Sequence, residues 1–227
     1  MRGLGKMALV SVILPVAGGI AALSPRVHVV PFSTSRFVLR IHRAATPTGE
    51  TFEKYVSTVR PRAAFNGTYY GEDGQPLGIL RSEGKWVFRG GRMQTVFAVD
   101  RSGRPLLLSR DAVRKDPSRY PFAIAAGPRL LKDGANCVNP ESEGFRAAAR
   151  KIRASRVALG VRRDGMALVI VDEDAVTLNE FAAVCRKAGA VDAVNLDGGG
   201  ATALYHRGKT VVSPMIPMAD IVTISDK

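Results

Sequence analysis

Cysteine and histidine are scarce in this chain. Two cysteines, Cys137 and Cys185, stand far apart, and three histidines, His28, His42 and His206, are scattered along 227 residues. No Cys-x-x-Cys pair and no Cys/His cluster exists, which argues against a structural zinc site. The scattered histidines suggest neither a metal set nor a catalytic triad, and no Gly-x-Ser-x-Gly elbow presents a nucleophilic serine. The cysteines read as two ordinary buried thiols, with a pairing between them left open. Internal repeats, low-complexity stretches and interdomain linkers are also missing. Acidic residues are outnumbered, 20 against 33 basic ones, for a formal charge of +13. That surplus fits a nucleic-acid partner, an anionic envelope surface, an anionic substrate, or a solvated arginine-rich face. The most basic segment holds Arg146, Arg150, Lys151, Arg153, Arg156, Arg162 and Arg163 with no aromatic interleaving, a weak nucleic-acid signal.

An apolar content of 46% in a chain of this length is enough for one sizeable core and a single domain. Residues 1–24 differ from the rest. Arg2 and Lys6 precede an apolar run from Met7 to Leu23, broken only by Ser11, Pro15 and Gly18-Gly19. This reads as a secretory signal with Ala21, Ala22 and Ser24 near its end, or as a short uncleaved anchor through residues 7–23. The expected folded domain is 25–227, and the expected location is outside the cytoplasm.

Residues 27–41 alternate and are rich in β-branched residues, which predicts one or two strands. Residues 51–59 predict a short helix, and Ala63-Ala64-Phe65 a buried strand ending at the Asn66-Gly67 turn. Further strands are expected over 86–88, 95–99, 105–109 and 122–126. A hairpin is expected over 157–171 across Asp164-Gly165. Thr177-Leu178-Asn179-Glu180 is a capping box that opens a helix, and Gly189 closes it. Strands follow over 191–196 and 221–224, with a hairpin around Arg207-Gly208-Lys209. Strands dominate and helices are few, so the fold class is α+β on a mixed or antiparallel sheet.

The chemistry-bearing stretch is Asn195-Leu196-Asp197-Gly198-Gly199-Gly200-Ala201-Thr202. On a strand, Asn195 and Asp197 share one face. Three glycines then let backbone N–H groups close around an anion. A carboxylate beside such a nest can act as acid or base while the nest holds phosphate oxygens. A tight glycine turn capped by an aspartate is the plainer reading. A dinucleotide fingerprint fits poorly, because it needs a helix beginning at the glycines, Tyr205-His206-Arg207-Gly208 cuts the segment short, and Asp197 would face the pyrophosphate with the wrong charge. Asn66 can orient a sugar hydroxyl or phosphate oxygen, or simply serve the turn. Arg156 can offer a guanidinium fork to phosphate, or lie on the surface.

Taken together, these segments resemble the phosphodiester glycosidase domain. Ala64-Phe65-Asn66-Gly67-Thr68-Tyr69-Tyr70 with Gly74-Gln75-Pro76-Leu77-Gly78 is similar to the family's first motif. Ala125-Ala126-Gly127-Pro128-Arg129-Leu130-Leu131 with Asp133-Gly134 resembles the second. Arg156 to Gly160, Leu168 to Asp172 and Thr177 to Ala182 resemble the third, and Asn195 to Gly200 the fourth. The motifs run in family order across roughly residues 60–225. Where the family usually has a serine after the third glycine, this chain has Ala201 and then Thr202. Where the family often carries an arginine near its final strand, this chain has Met218-Ala219-Asp220.

The resemblance implies hydrolysis of a sugar-1-phosphodiester at the anomeric carbon, on envelope or extracellular glycoconjugates. It implies catalytic roles for Asp197, Asn195 and Arg156. It implies substrate contacts at Asn66, Gly67, Gly198, Gly199, Gly200, Thr202 and Asp172, with Asp172 a candidate second carboxylate. No metal ligand or cofactor is expected, although a divalent cation stays open. The expected partner is a sugar phosphodiester or an anionic glycopolymer rather than nucleic acid. The rival reading is a non-catalytic binder of anionic envelope glycopolymers.

Overall fold

The computed structural model describes residues 23–46 and 48–227. The signal or anchor expected over 1–24 lies almost wholly outside the described residues. In chain order come β1 (Val27–Phe32), β2 (Phe37–Arg43), α1 (Phe52–Val59), β3 (Ala63–Asn66), β4 (Leu80–Ser82), β5 (Lys85–Phe88), β6 (Thr95–Val99) and β7 (Pro105–Ser109). Then follow α2 (Arg110–Lys115), β8 (Phe122–Ala126), β9 (Arg129–Lys132), β10 (Ala135–Asn136), β11 (Ala154–Arg162) and β12 (Ala167–Val176). The chain finishes with α3 (Leu178–Lys187), β13 (Ala190–Asn195), β14 (Leu204–His206), β15 (Lys209–Val212) and β16 (Asp220–Asp226). The strands form three sheets in the orders β1-β12-β11-β13-β9-β10, β15-β14-β3-β16-β2 and β5-β4-β8-β6-β7. All strand pairs in them are antiparallel. The fold is therefore α+β, mostly β.

Period-two alternation explains the layering. Val157, Leu159 and Val161 of β11 point into one central core with Val169 and Val171 of β12. Ala63 and Phe65 of β3, Val222 and Ile224 of β16, and Phe97 of β6 enter it from the other two sheets. The intervening residues face outward, and each sheet covers them with its own helix. Ala158, Leu168, Ile170 and Ala193 pack under Phe181, Ala182 and Cys185 of α3. Ala64 and Ile221 pack under Phe52, Tyr55 and Val56 of α1. Val96, Ala98, Ala123 and Ala125 pack with Val113 of α2 and Tyr120. β8 has apolar neighbours on both faces, which is why its sequence is an unbroken apolar run.

The expected strands at 27–41 are two, β1 and β2. The capping box at Thr177 is present, with Glu180 reaching back to the Thr177 N–H. β4, α2, β9 and β10 go beyond the sequence reading. They are short, and β9 carries a charge at each end, so no periodicity marks them. Cys185 is buried on α3 as expected, whereas Cys137 is only half-buried; the two thiols are free. No described helix is long and apolar enough to cross a membrane.

α3 seals the outer face of the first sheet, so its capping box is a sensitive point. Thr177→Ala removes the side-chain acceptor for the Glu180 N–H and should cost about 1 kcal/mol. Urea unfolding would show a lower midpoint at unchanged slope. An unchanged midpoint would mean that packing alone holds the helix.

Candidate active site

Three chain segments from two sheets meet at one point. β3 ends at Asn66, with Gly67 and Thr68 next in the chain; β13 ends at Asn195, two residues before Asp197; β16 begins at Asp220. Gly67 sits at the crossing. Its N–H donates to the Asp220 carbonyl (3.2 Å), and its own carbonyl accepts the Asp197 N–H (3.4 Å). The Asp220 carboxylate lies across Gly67. A Cβ there would stand 1.6 Å from Asp220 Oδ1, so only glycine lets the two backbones approach. The Thr68 N–H donates to the same Oδ1 (3.0 Å). Asp220 Oδ2 is buried with no partner.

The strand that leads to Asp197 ends sooner than the alternation predicts. β13 stops at Asn195, and Asp197 stands in the turn beyond it, half-buried. Its Oδ1 accepts the Gly198 N–H (2.9 Å). Gly199 has φ +61 and opens a single 3-10 turn, Gly199–Ala201. A Cβ on Gly198 would stand 2.7 Å from the Ser155 carbonyl, so this glycine too is fixed by close approach to β11. Asn66 clamps the loop from the far side. Its Nδ2 donates to the Asp197 carbonyl (2.6 Å), and its Oδ1 accepts the Ala203 N–H (3.1 Å). Asn195 is fully buried. Its Nδ2 donates to the Leu196 carbonyl (2.6 Å) and contacts the Tyr69 hydroxyl, while its Oδ1 is unpartnered.

Asp197 and Asp220 are the two acids at this junction, each beside a backbone contact of Gly67. Burial pushes Asp197 up to about 6, against the pull of the Gly198 N–H. Burial and the neighbouring Asp197 charge push Asp220 up to about 7. Two tyrosines attend the pair. Burial and Asp197 hold the Tyr69 hydroxyl protonated. Burial, Asp197 and Asp220 do the same for Tyr70. Tyr69 also stacks edge-on against Phe145, with ring centroids 5.5 Å apart.

Arg156 completes the arrangement. It is 8% exposed, so the surface reading of this arginine is wrong. Its guanidinium donates to the Ile152 carbonyl (2.6 Å) and the Val176 carbonyl (3.3 Å). It has no carboxylate within ion-pairing distance among the described residues. Burial lowers its pKa and the nearby Tyr69 raises it. Such a group, buried without a counter-charge, is prepared for an anion.

Asp172 is buried opposite Arg156 in the β11–β12 register, yet the two make no ion pair. Its Oδ1 accepts the Asp174 N–H (3.0 Å), and its charge acts on Cys185 of α3. The structure does not bring it into contact with Asp197. Thr202 is buried, and its hydroxyl bonds that of Ser155 (3.0 Å), which also donates to the Gly199 carbonyl (3.1 Å). Ser155 thus supplies a hydroxyl beside the loop where Ala201 has none. Asp220, Tyr69, Tyr70 and Ser155 escaped the sequence reading as site residues. The one usable signal was Asp220, a lone acid at the head of the apolar stretch Ile221–Ile224. No group of three or more potential metal ligands gathers among the described residues.

A model of the phosphodiester glycosidase family matches residues 60–222. The chain belongs to the phosphodiester glycosidase family. Glycosidic cleavage of phosphodiesters is the general chemistry this membership carries. Several solved structures share the fold of this chain. The zebrafish N-acetylglucosamine-1-phosphodiester α-N-acetylglucosaminidase catalytic domain, auto-inhibited by its pro-peptide, is similar with a TM-score of 0.72 and 19% identity, over 93% of this chain and 87% of that one. A hypothetical protein from Synechocystis is similar at TM-score 0.68 and 18% identity, over 88% of this chain. This chain spans 59% of that protein's length. A Burkholderia pseudomallei protein described as exported is similar at TM-score 0.64 and 16% identity, over 88% of this chain and 73% of that one. No curated protein matches in sequence.

The buried pair gives stability a definite pH dependence. Asp220 rises from 3.8 to about 7 on folding, so the folded state binds its proton more tightly than the unfolded one. Its contribution is fully present below the unfolded value and is lost as pH rises through about 7. Asp220→Asn keeps an acceptor for the Thr68 N–H and removes the charge. It should stabilise the protein at pH 8, on the order of a few kcal/mol, and the gain should shrink steadily towards pH 4. Thermal melts across that range test this. A gain that does not depend on pH would show that Asp220 is not charged when folded at pH 8.

Proposed function

We propose that this protein hydrolyses a sugar-1-phosphodiester at its anomeric carbon, with Asp197 as the acid–base group. The observation that carries the reading is a buried, counter-charge-free arginine beside a glycine loop that also bears a carboxylate of raised pKa. Arg156 and the loop N–H groups receive the phosphate. Asp197 takes a proton from the attacking water as the new C–O bond forms at the anomeric carbon. The old bond breaks with its electron pair on the phosphate oxygen, and Arg156 offsets that charge. A phosphate leaves without needing a proton from an acid, unlike an alcohol. One ionised carboxylate therefore suffices, where glycosidases commonly use two.

Asp220 keeps its proton to higher pH than Asp197 does, so Asp197 is the first of the two to ionise. Coupled groups titrate as a pair, and activity should rise with an acid limb near the pair's lower value. Asn66, Asn195, Gly67 and Thr202 are positioning residues: their polar atoms or backbones hold the loop. Asp172 has a structural role under α3. N-acetylglucosamine-1-phosphodiesters are the first probes, since the zebrafish neighbour is named for them.

The deciding experiment pairs turnover of N-acetylglucosamine 1-(methyl phosphate) with binding of methyl phosphate. Asp197→Asn should lower kcat by about two to four orders of magnitude while phosphate-fragment binding holds or improves. Arg156→Lys keeps the charge but loses the fork, so the methyl phosphate Kd should rise and binding of free N-acetylglucosamine should not change. Turnover that survives Asp197→Asn refutes the assignment. Binding without turnover in the wild type supports a non-catalytic binder of anionic glycopolymers instead.

Export belongs to the same proposal. Residues 1–24 direct the chain out of the cytoplasm, and the functional domain is 25–227. The likeness to a Burkholderia protein described as exported agrees with this. N-terminal sequencing of fractionated protein should find a periplasmic, extracellular or outward-facing anchored product. A cytosolic product that starts at Met1 would overturn it.

A further inference from the structure

Large apolar side chains that stand exposed are few among the described residues: Ile152, Val211, Met215 and Ile216. Met215 is 86% exposed and Ile152 53%. Scattered singly, such residues would need no explanation. Three of the four, however, are attached to the candidate site. The Met215 N–H donates to the Gly200 carbonyl (2.7 Å). The Ile216 side chain lies 3.5 Å from where a Cβ on Gly200 would stand. The Ile152 carbonyl is the acceptor that holds the Arg156 guanidinium. The loop's far end is tied in as well, since the Tyr70 hydroxyl donates to the Pro217 carbonyl (3.4 Å). Pro214 and Pro217 bracket the two apolar residues and stiffen the loop. The loop is thus held where it presents Met215 and Ile216 to solvent.

We infer that the substrate is a sugar-1-phosphodiester whose phosphate is also esterified to a lipid-like alcohol, and that Ile152, Met215 and Ile216 grip the first carbons of its chain. The inference rests on the proposed hydrolysis only in taking Arg156 as the phosphate contact. A phosphate held there has Ile152 next to it, with Met215 and Ile216 beside the glycine loop. In this proposal the group on its far side runs out past Met215 and Ile216 at the glycine loop and past Ile152, whose backbone holds Arg156. A hydrophilic acceptor would leave the three side chains in water. An alkyl chain removes them from water, favourably in proportion to the area covered.

The test compares N-acetylglucosamine 1-(methyl phosphate) with N-acetylglucosamine 1-(decyl phosphate), kept below micellar concentration, on the full chain. Wild type should use the decyl diester with kcat/KM at least about tenfold above the methyl one. In the exposed-site double variant Ile152→Ser/Met215→Ser the ratio of the decyl to the methyl kcat/KM should fall to within about twofold, whatever happens to the two values separately. Equal use of both diesters by the wild type overturns the inference. So does a preference that survives in the double variant, because the apolar contact then lies elsewhere. Calorimetry with methyl phosphate and decyl phosphate supplies a readout that needs no turnover. Chain-dependent binding that the double variant abolishes upholds the inference even if neither diester is hydrolysed, in which case only the hydrolytic reading falls. Chain-independent binding overturns it. Adsorption to phosphatidylglycerol vesicles that the double variant loses, with no chain preference for the diesters, also overturns it, in favour of a membrane-docking rim.

Discussion

Everything at the candidate site depends on how closely two backbones can approach at Gly67. The carboxylate of Asp220 occupies the space where any other residue's Cβ would be. That single vacancy brings the head of β16 against the end of β3. The Gly67 carbonyl in turn receives the Asp197 N–H. Were the approach looser, the Asp220 carboxylate would reach water, and burial would no longer raise its pKa. The neighbouring Asn66 then fixes the other partner by bonding to both sides of the glycine loop. An amide that spans a loop in this way uses both its polar ends on backbone. It therefore shapes the site and has little left to offer a ligand.

Much of this was legible in the sequence because local and global signals agree. The capping box at Thr177 needs only four adjacent residues, and the Arg207-Gly208 turn needs two. The apolar run of β8 reads as buried because both its faces are covered. The Asp197 loop drew notice in the sequence because three glycines follow a carboxylate, and the structure makes it a turn in which Asp197 accepts the Gly198 N–H. What was not legible is what long-range packing decides. Asp220 lies 23 positions beyond Asp197 in the chain, and nothing local says that β16 and β13 converge. Tyr69 and Tyr70 stood inside a recognised motif, yet only the fold shows that the Tyr69 hydroxyl meets the Asn195 amide and the Tyr70 hydroxyl the Pro217 carbonyl. Asp172, the candidate second carboxylate, is placed by long-range packing as well: it stands opposite Arg156 in the β11–β12 register, and its carboxylate accepts the Asp174 N–H. The β11–β12 register also shifts between Ala154 and Arg156, which disturbs the alternation there.

The net charge of +13 becomes more specific once the arginines are placed. Within the basic segment, Arg150 pairs with Glu141, Arg153 with Glu180 and Arg162 with Asp164. These pairs are well exposed, and such contacts contribute about 0–1 kcal/mol each. Elsewhere Arg81 and Arg89 lie over the Trp86 ring. A face built this way is solvated and locally neutralised rather than a continuous anion-binding stripe. Arg156 is different in kind. It is buried, its hydrogen bonds go to neutral carbonyls, and burial works against its charge. A cation in that position is costly to the folded protein when alone. The cost is recovered when an anion arrives, and an exposed arginine that already has a partner would recover far less. Arg156 is thus set apart from the other arginines of that segment by burial, and under the proposed function the anion it receives is a phosphodiester bearing one negative charge. Burial also holds both Asp197 and Asp220 above the usual carboxylate range, which limits the repulsion such a ligand would otherwise meet.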